Sequence, residues 1–231
     1  MRRVVVTIDG PAGAGKSTVA KRVAAQLVYR LLDTGAIYRS VALTAHQRSV
    51  SFTDGDALGE IAQKLAIRFE IEGDRNRVFL SDREVTAEIR TPEISKMASL
   101  VSSHPQVRAG LLQLQRRLAE GGGVVVEGRD TGTVVFPQAE AKFFVTASDD
   151  VRAHRRMAEL SQAGQVAEYH TVLTEIRERD QRDASRDVAP MVAAADADLV
   201  DTSGMSLDEV VDDIVARIHR KIAKLSVLKQ A

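Results

Sequence analysis

The chain has 231 residues, with 32 Lys+Arg against 32 Asp+Glu, 44% hydrophobic and 28% charged residues, and only 4% aromatics. That length suits one α/β domain with an insertion, and the balanced charge argues against a protein that coats polyanions such as nucleic acid. The absence of cysteine excludes disulfides and Cys-ligated metals and fits a reducing cytoplasm, and no apolar run approaches the ~20 residues needed to span a bilayer.

Val4 to Ile8 is a β-branched run ended by Asp9-Gly10, the pattern of a buried parallel strand. Asp9 interrupts too early for a signal peptide. A helix is predicted from Ser17 to about Leu27, then a short strand at Leu31-Leu32 and a helix from Gly35 to Gln47, the order of a doubly wound sheet. Ile67, Phe69 and Ile71 alternate with charged residues. Gly73-Asp74-Arg75-Asn76 is a turn signal, and Val78-Phe79-Leu80 returns as a hairpin partner. Helices at Pro92–Val101 and Pro105–Glu120 follow, each with Pro in its first turn. The hairpin and helices predict an inserted substructure over about residues 60–105. Gly121-Gly122-Gly123 reads as a flexible turn before the strand Val124–Val126, and Phe143–Val145 is a further strand. Asp149–Gln162 and Thr171–Ser185 read as helices and Leu199-Val200 as a last strand. A closing helix from about Ser206 carries Leu207, Val210, Val211, Ile214 and Ile218 on its apolar stripe and ends in a basic stretch from Arg220 to Lys229.

The strongest chemical signal is Gly10-Pro11-Ala12-Gly13-Ala14-Gly15-Lys16-Ser17 between a strand and a helix, which fits the phosphate-loop pattern G-x-x-x-x-G-K-[ST]. Glycines let the backbone amides wrap a phosphate, and the helix start adds its positive dipole end. Lys16 can reach the β- and γ-phosphates and the Ser17 hydroxyl can ligand Mg²⁺. Such a loop serves small-molecule kinases, GTPase switches and motor ATPases alike. No N-K-x-D guanine motif is present, and Val124–Val126 runs into Glu127-Gly128-Arg129-Asp130, unlike the usual motor ending. The balance favours a kinase.

Arginines suited to a phosphorylated acceptor recur near strand ends: Arg39 after Asp33-Thr34-Gly35, and Arg129 after Val124–Val126. At about 100° per residue, Arg179, Arg182, Asp183 and Arg186 share one helical stripe. They form either an anion-binding face or a solvated helix with pairs such as Arg179–Asp183. Arg152, Arg155 and Arg156 beside His154 form a second patch, read either as surface charge or as a lid over the transferring group. The five histidines show no metal spacing.

The segments IDGPAGAGKST (Ile8–Thr18), LDTGAIYR (Leu32–Arg39), Glu88-Ile89-Arg90 with the later Ser99 and Arg108, EGRDTGTVVFP (Glu127–Pro137), AHRRM (Ala153–Met157) and ERDQRDASRDVAP (Glu178–Pro190) resemble those of bacterial cytidylate kinases, in the nucleoside monophosphate kinase group. They run in family order through nearly the whole chain, and LDTGAIYR with GRDTGTVVFP is specific to that family. The resemblance implies an α/β fold: a three-layer α/β/α phosphate-loop core with a parallel sheet, a lid at about 152–168, and an inserted antiparallel sheet with helices that binds the monophosphate. The whole, 1–231, would be one kinase domain and a monomer.

It also implies that ATP, with Mg²⁺ on Ser17, binds Gly10 to Thr18, and that CMP or dCMP is the acceptor. Arg39, Arg129 and Arg186 would hold the CMP phosphate, Arg179 and Asp183 the ribose hydroxyls, and Thr34 would sit near the acceptor. Ser99, Arg108 and Asp130 would read the base. Lys16, Arg129 and the lid's Arg155 or Arg156 would act on the transferring phosphoryl. A carboxylate facing the N4 amino group favours cytosine over uracil, which presents a carbonyl there. Val28 stands where the family commonly has Gly, so a less cleanly capped first helix is expected; Thr34 replaces a commoner Ser and keeps the hydroxyl. A UMP or dTMP kinase and a non-enzymatic nucleotide switch are the alternatives.

Overall fold

The computed structural model describes residues 3–72, 75–162 and 164–227. They form two compact units, one made of the residues up to Leu31 with those from Gly121 on, the other of Leu32–Glu120.

The first unit is built on strands β1 (Val5–Asp9), β6 (Val124–Glu127), β7 (Ala141–Thr146) and β8 (Asp198–Asp201), all parallel. With β2 (Arg30–Asp33) they make a five-stranded sheet of order β2-β6-β1-β7-β8. The strands were legible because a sheet buried on both faces needs unbroken β-branched runs, and Val6, Ile8, Val125 and Phe143 are all buried. Helices α1 (Lys16–Leu27) and α8 (Leu207–Val227) cover one face through Val19, Val23, Val210, Val211, Ile214 and Ile218. Leu207, placed on that stripe by its spacing, is exposed, because it opens the helix before the stripe reaches the sheet. Helices α6 (Asp149–Gln162) and α7 (Tyr169–Ala184) pack on each other through Ala153, Val172 and Ile176. One π-helical turn, Thr131–Val135, follows β6 and was not foreseen. Of the basic stretch Arg220–Lys229, the part beyond Val227 lies outside the described residues.

The triple glycine is an ordered turn rather than a loose one. Gly121, Gly122 and Gly123 take φ of 81°, 64° and 62°, a left-handed run that only glycine adopts cheaply. The Gly123 N–H donates to Val4 O at 2.9 Å, and its carbonyl accepts from Arg30 N at 2.9 Å.

The end of α1 departs from expectation. Val28 takes φ 54°, ψ 45°, yet the cap is complete: its N–H donates to Ala25 O at 3.2 Å, and the Tyr29 N–H to Ala24 O at 2.8 Å. The cost therefore falls on conformation, since a β-branched residue in the left-handed region loses at least about 1–2 kcal/mol. Val28 is 86% exposed, so little packing offsets it. Val28→Gly should raise the melting temperature by about 2–4 °C for a chain of this size; a thermal scan showing an unchanged or lower midpoint would refute the strain.

The second unit holds α2 (Thr34–Gln47), α3 (Gly55–Gln63), the antiparallel sheet β3 (Ile67–Glu72), β4 (Arg75–Leu80) and β5 (Arg83–Glu84), a 3-10 turn (Glu88–Arg90), α4 (Pro92–Val101) and α5 (Pro105–Leu118). Ile67 pairs with Leu80 and Glu72 with Arg75. Arg75 and Asn76, expected in the turn, thus belong to β4, while Gly73 and Asp74 lie outside the described residues. Helix α3 had no clear sequence signal. Asp54 caps it by accepting from Ala57 N at 3.0 Å, and α5 presses on it so closely that a Cβ at Gly59 would lie 2.8 Å from that of Gln106.

Candidate active site

In the first unit, β1 delivers the chain into the phosphate loop. A Cβ at Gly10 would lie 1.9 Å from Val145 O, so only glycine passes there. Gly13 and Gly15 have φ of 73° and 82°, and left-handed residues alternating with ordinary ones turn successive N–H groups into one concavity. Lys16 opens α1, is buried, and donates from Nζ to Pro11 O at 2.5 Å. Burial holds its pKa well below the usual lysine range, with Arg129 and Arg179 adding to the effect and Glu127 and Asp180 opposing it. Arg129 and Arg179 thus each lie within electrostatic reach of Lys16. Ser17 and Thr18 are exposed in the first turn. The Ser17 hydroxyl is a hard oxygen that suits Mg²⁺, an ion that takes most of its ligands from phosphates and water.

Arg129 and Arg186 meet on one carboxylate. Arg129 Nε donates to Asp183 Oδ2 at 3.0 Å, and Arg186 Nη2 pairs with Asp183 Oδ1. The side chain of Asp183 is 2% exposed, with Arg129 at 19% and Arg186 at 7%. The expected helical stripe is corrected here. Arg186 lies beyond the end of α7, and Arg182 is exposed and donates back to Glu178 O at 3.3 Å. Arg186 still pairs with Asp183, as the stripe had them side by side, but the suggested i,i+4 partner, Arg179, gives way to Arg129 from the end of β6.

Asp130 is buried at the entry to the π-helical turn, its carbonyl accepting from Val134 N at 2.9 Å. The turn is anchored by Asp9, whose carboxylate accepts from Thr131 N (2.9 Å), Thr131 Oγ1 (2.8 Å) and Gly132 N (2.7 Å). Burial is the main cause that raises the pKa of Asp9, against the lowering effect of those bonds.

The basic patch on α6 separates into three environments. Arg152 is buried against the phosphate loop. Arg155 donates to Thr202 Oγ1 and Thr202 O, each at 2.9 Å, and to Ala14 O at 3.4 Å. Arg156 is a surface residue paired with Glu159 at 3.0 Å.

In the second unit, Asp33 caps α2 by accepting from Ala36 N at 2.8 Å and holds Arg39 Nη2 at 2.9 Å. A Cβ at Gly35 would lie 3.1 Å from both Arg39 Nη1 and Asp33 Oδ1, which accounts for the D-T-G spacing before Arg39. Thr34 is buried beside them. Ser99 on α4 is buried, and its hydroxyl has no hydrogen-bond partner. Buried hydroxyls are normally satisfied, so this one is suited to a ligand. Arg108 on α5 is buried, donates to Ser102 O at 3.1 Å and lies 5.5 Å from the Tyr38 ring centroid.

Sequence reasoning passed over Glu127, Asp9 and Asp180. The first two were readable: each ends a buried apolar strand with a carboxylate, at the strand end where α/β sheets bind ligands. Among the described residues no helix is long and apolar enough to cross a membrane.

Comparison with known proteins agrees with these features. A family model described as cytidylate kinase matches residues 6–220. A cytidylate kinase from Pelotomaculum thermopropionicum is 48% identical over 92% of this chain and 95% of its own length. One from Serratia proteamaculans is 44% identical over 95% and 96%. Among solved structures, a gluconokinase from Sinorhizobium meliloti shares the fold at a TM-score of 0.51 and 16% identity, covering 98% of both chains.

Proposed function

The chain belongs to the cytidylate kinase family, and from that premise we propose that it transfers the γ-phosphoryl group of ATP, with Mg²⁺, to CMP and dCMP, giving CDP or dCDP and ADP. The observation that carries this reading is the placement of Arg129, with its partner Asp183 and so Arg186, within electrostatic reach of the phosphate-loop lysine. A guanidinium group suited to an acceptor phosphate next to a donor-phosphate lysine is what an in-line transfer between two phosphates requires.

No covalent intermediate is needed, because phosphoryl transfer depends on positioning and charge neutralisation. Gly10 to Thr18 form the donor-phosphate loop, which cradles the phosphates through the N–H groups from Gly13 on, and Lys16 exchanges the Pro11 carbonyl for a phosphate oxygen. Mg²⁺ on Ser17 Oγ would supply neutralising charge. Arg39, Arg129 and Arg186 hold the acceptor phosphate, Arg179 and Asp183 the ribose, and Thr34 lies beside the acceptor. Ser99, Arg108 and Asp130 read cytosine. Residues 152–168 act as the lid and about 60–105 as the monophosphate-binding insertion. Within the lid, Arg156 has only a surface carboxylate to release and is the residue we assign to the transferring group, while Arg155 stays on Thr202. The chain works as a cytoplasmic monomer.

The test is ADP release from Mg·ATP with CMP, dCMP, UMP, AMP, GMP and dTMP offered separately. Rapid release with CMP and dCMP alone is expected. Release with another monophosphate overturns the base assignment, and no release with any overturns the kinase reading in favour of a nucleotide switch. Asp130→Ala should cut the preference for CMP over UMP about tenfold, the value of one good base-edge contact. An unchanged kcat/KM ratio removes Asp130 from base readout.

A further inference from the structure

Arg152, the first residue of the lid, and Asp180 carry none of the substrate contacts assigned above, yet they seize the phosphate loop from outside. Both backbone groups of Ala12 are engaged: its N–H donates to Asp180 Oδ1 at 2.9 Å, and its carbonyl accepts from Arg152 Nη1 at 2.8 Å. The same Nη1 pairs with Asp180 Oδ2, closing a ring of loop, guanidinium and carboxylate. One residue on, a Cβ at Gly13 would lie 3.1 Å from Arg152 O and 3.2 Å from Arg152 Cβ, so the loop rests directly on α6. The other end of the guanidinium is fixed too, since Arg152 Nη2 donates to Asp149 Oδ1 at 2.5 Å and Arg177 Nε to Asp149 Oδ2 at 2.7 Å. Arg177, then Arg152, hold the Asp149 carboxyl below the usual carboxylate range.

Burying an arginine costs desolvation, and here every bond that offsets it ties the phosphate loop, α6 and α7 together. What it holds is a loop with three glycines at positive φ, a conformation that gains nothing from its own side chains. A loop held in its receiving shape loses no ordering entropy when a phosphate arrives. We propose that Arg152 and Asp180 are positioning residues for the donor nucleotide: bridging α6 and α7, they preform the phosphate loop, so affinity for the triphosphate depends on these two helices. This rests on the reading of Gly10–Ser17 as the donor site.

The test is Mg·ATP binding by titration calorimetry in the absence of any acceptor. Asp180→Asn turns one carboxylate oxygen into a donor facing Arg152 and should weaken Mg·ATP binding about tenfold, the scale of one charged hydrogen bond. The KM for CMP should stay close to wild type. Arg152→Lys keeps the charge but reaches fewer partners, and an intermediate loss is expected. Unchanged Mg·ATP affinity in folded Asp180→Asn, whatever its melting temperature, reduces the pair to a structural brace and overturns the proposal. So does an equal rise in both KM values. If Asp180→Asn does not fold, unchanged affinity in Arg152→Lys decides it in the same way. A wild-type protein that binds Mg·ATP but phosphorylates no monophosphate would overturn the proposed function and leave this inference standing.

Discussion

Lys16→Ala is expected to lower kcat about a thousandfold, the scale of losing one preorganised donor to transition-state charge, with a thermal midpoint no lower than wild type. The two halves of that result have one cause. Lys16 is buried, and burial together with Arg129 lowers its pKa well below the usual range. The folded chain therefore holds this proton less tightly than the unfolded chain does. By linkage, the lysine's contribution to stability improves as pH rises toward its unfolded pKa and is least favourable at lower pH, where the ammonium is charged in both states. Wherever Lys16 is charged, burying its ammonium is a burden on folding, relieved when phosphate replaces the Pro11 carbonyl. Steady-state kinetics and a thermal scan check both halves. Wild-type turnover would exclude Lys16 from the transfer, and loss of the cooperative transition would make it structural.

Asp183→Ala should be damaging in both stability and activity. It leaves Arg129 and Arg186, at 19% and 7% exposed, facing each other without the carboxylate that separates them. Removing one member of a buried ionic group costs about 3–5 kcal/mol, or roughly 10 °C in melting temperature for a chain of this size. Because both guanidiniums are assigned to the acceptor phosphate, kcat/KM for CMP should fall at least about a hundredfold, while Mg·ATP affinity changes little. Asp183→Asn, which keeps the shape and loses the charge, should show the same order of effects at smaller size. A variant with a lowered midpoint but a normal kcat/KM for CMP would show that the two arginines do not need Asp183 to meet the substrate.

The elements that the sequence announced are those with a strong local period. The strand Val4–Ile8 needed only its β-branched run, α4 and α5 only their first-turn prolines, and α8 only its apolar stripe. The failures share a cause. Helix α3 carries Gly55 and Gly59, which weaken helix propensity, and Gly59 is there because α5 comes within van der Waals contact of it. Val28 was read as a missing glycine and turned out to complete the glycine's cap in a strained conformation.

In the candidate site the same division holds. The phosphate-loop pattern, its place between β1 and α1, the cluster of arginines and the family itself were all determined by the sequence, because each depends on residues adjacent in the chain or on order along it. Only the tertiary structure decided which charge meets which. Asp9 anchors Thr131 across 122 positions, Arg152 reaches Ala12 across 140, and Asp180 reaches Ala12 across 168. A helical wheel pairs Asp183 with Arg179 because it knows only a 3.6-residue period. The fold pairs it instead with Arg186, three residues on in the chain, and with Arg129, which the end of a β-strand brings in across 54 positions. A buried carboxylate takes whichever cations the packing brings to it.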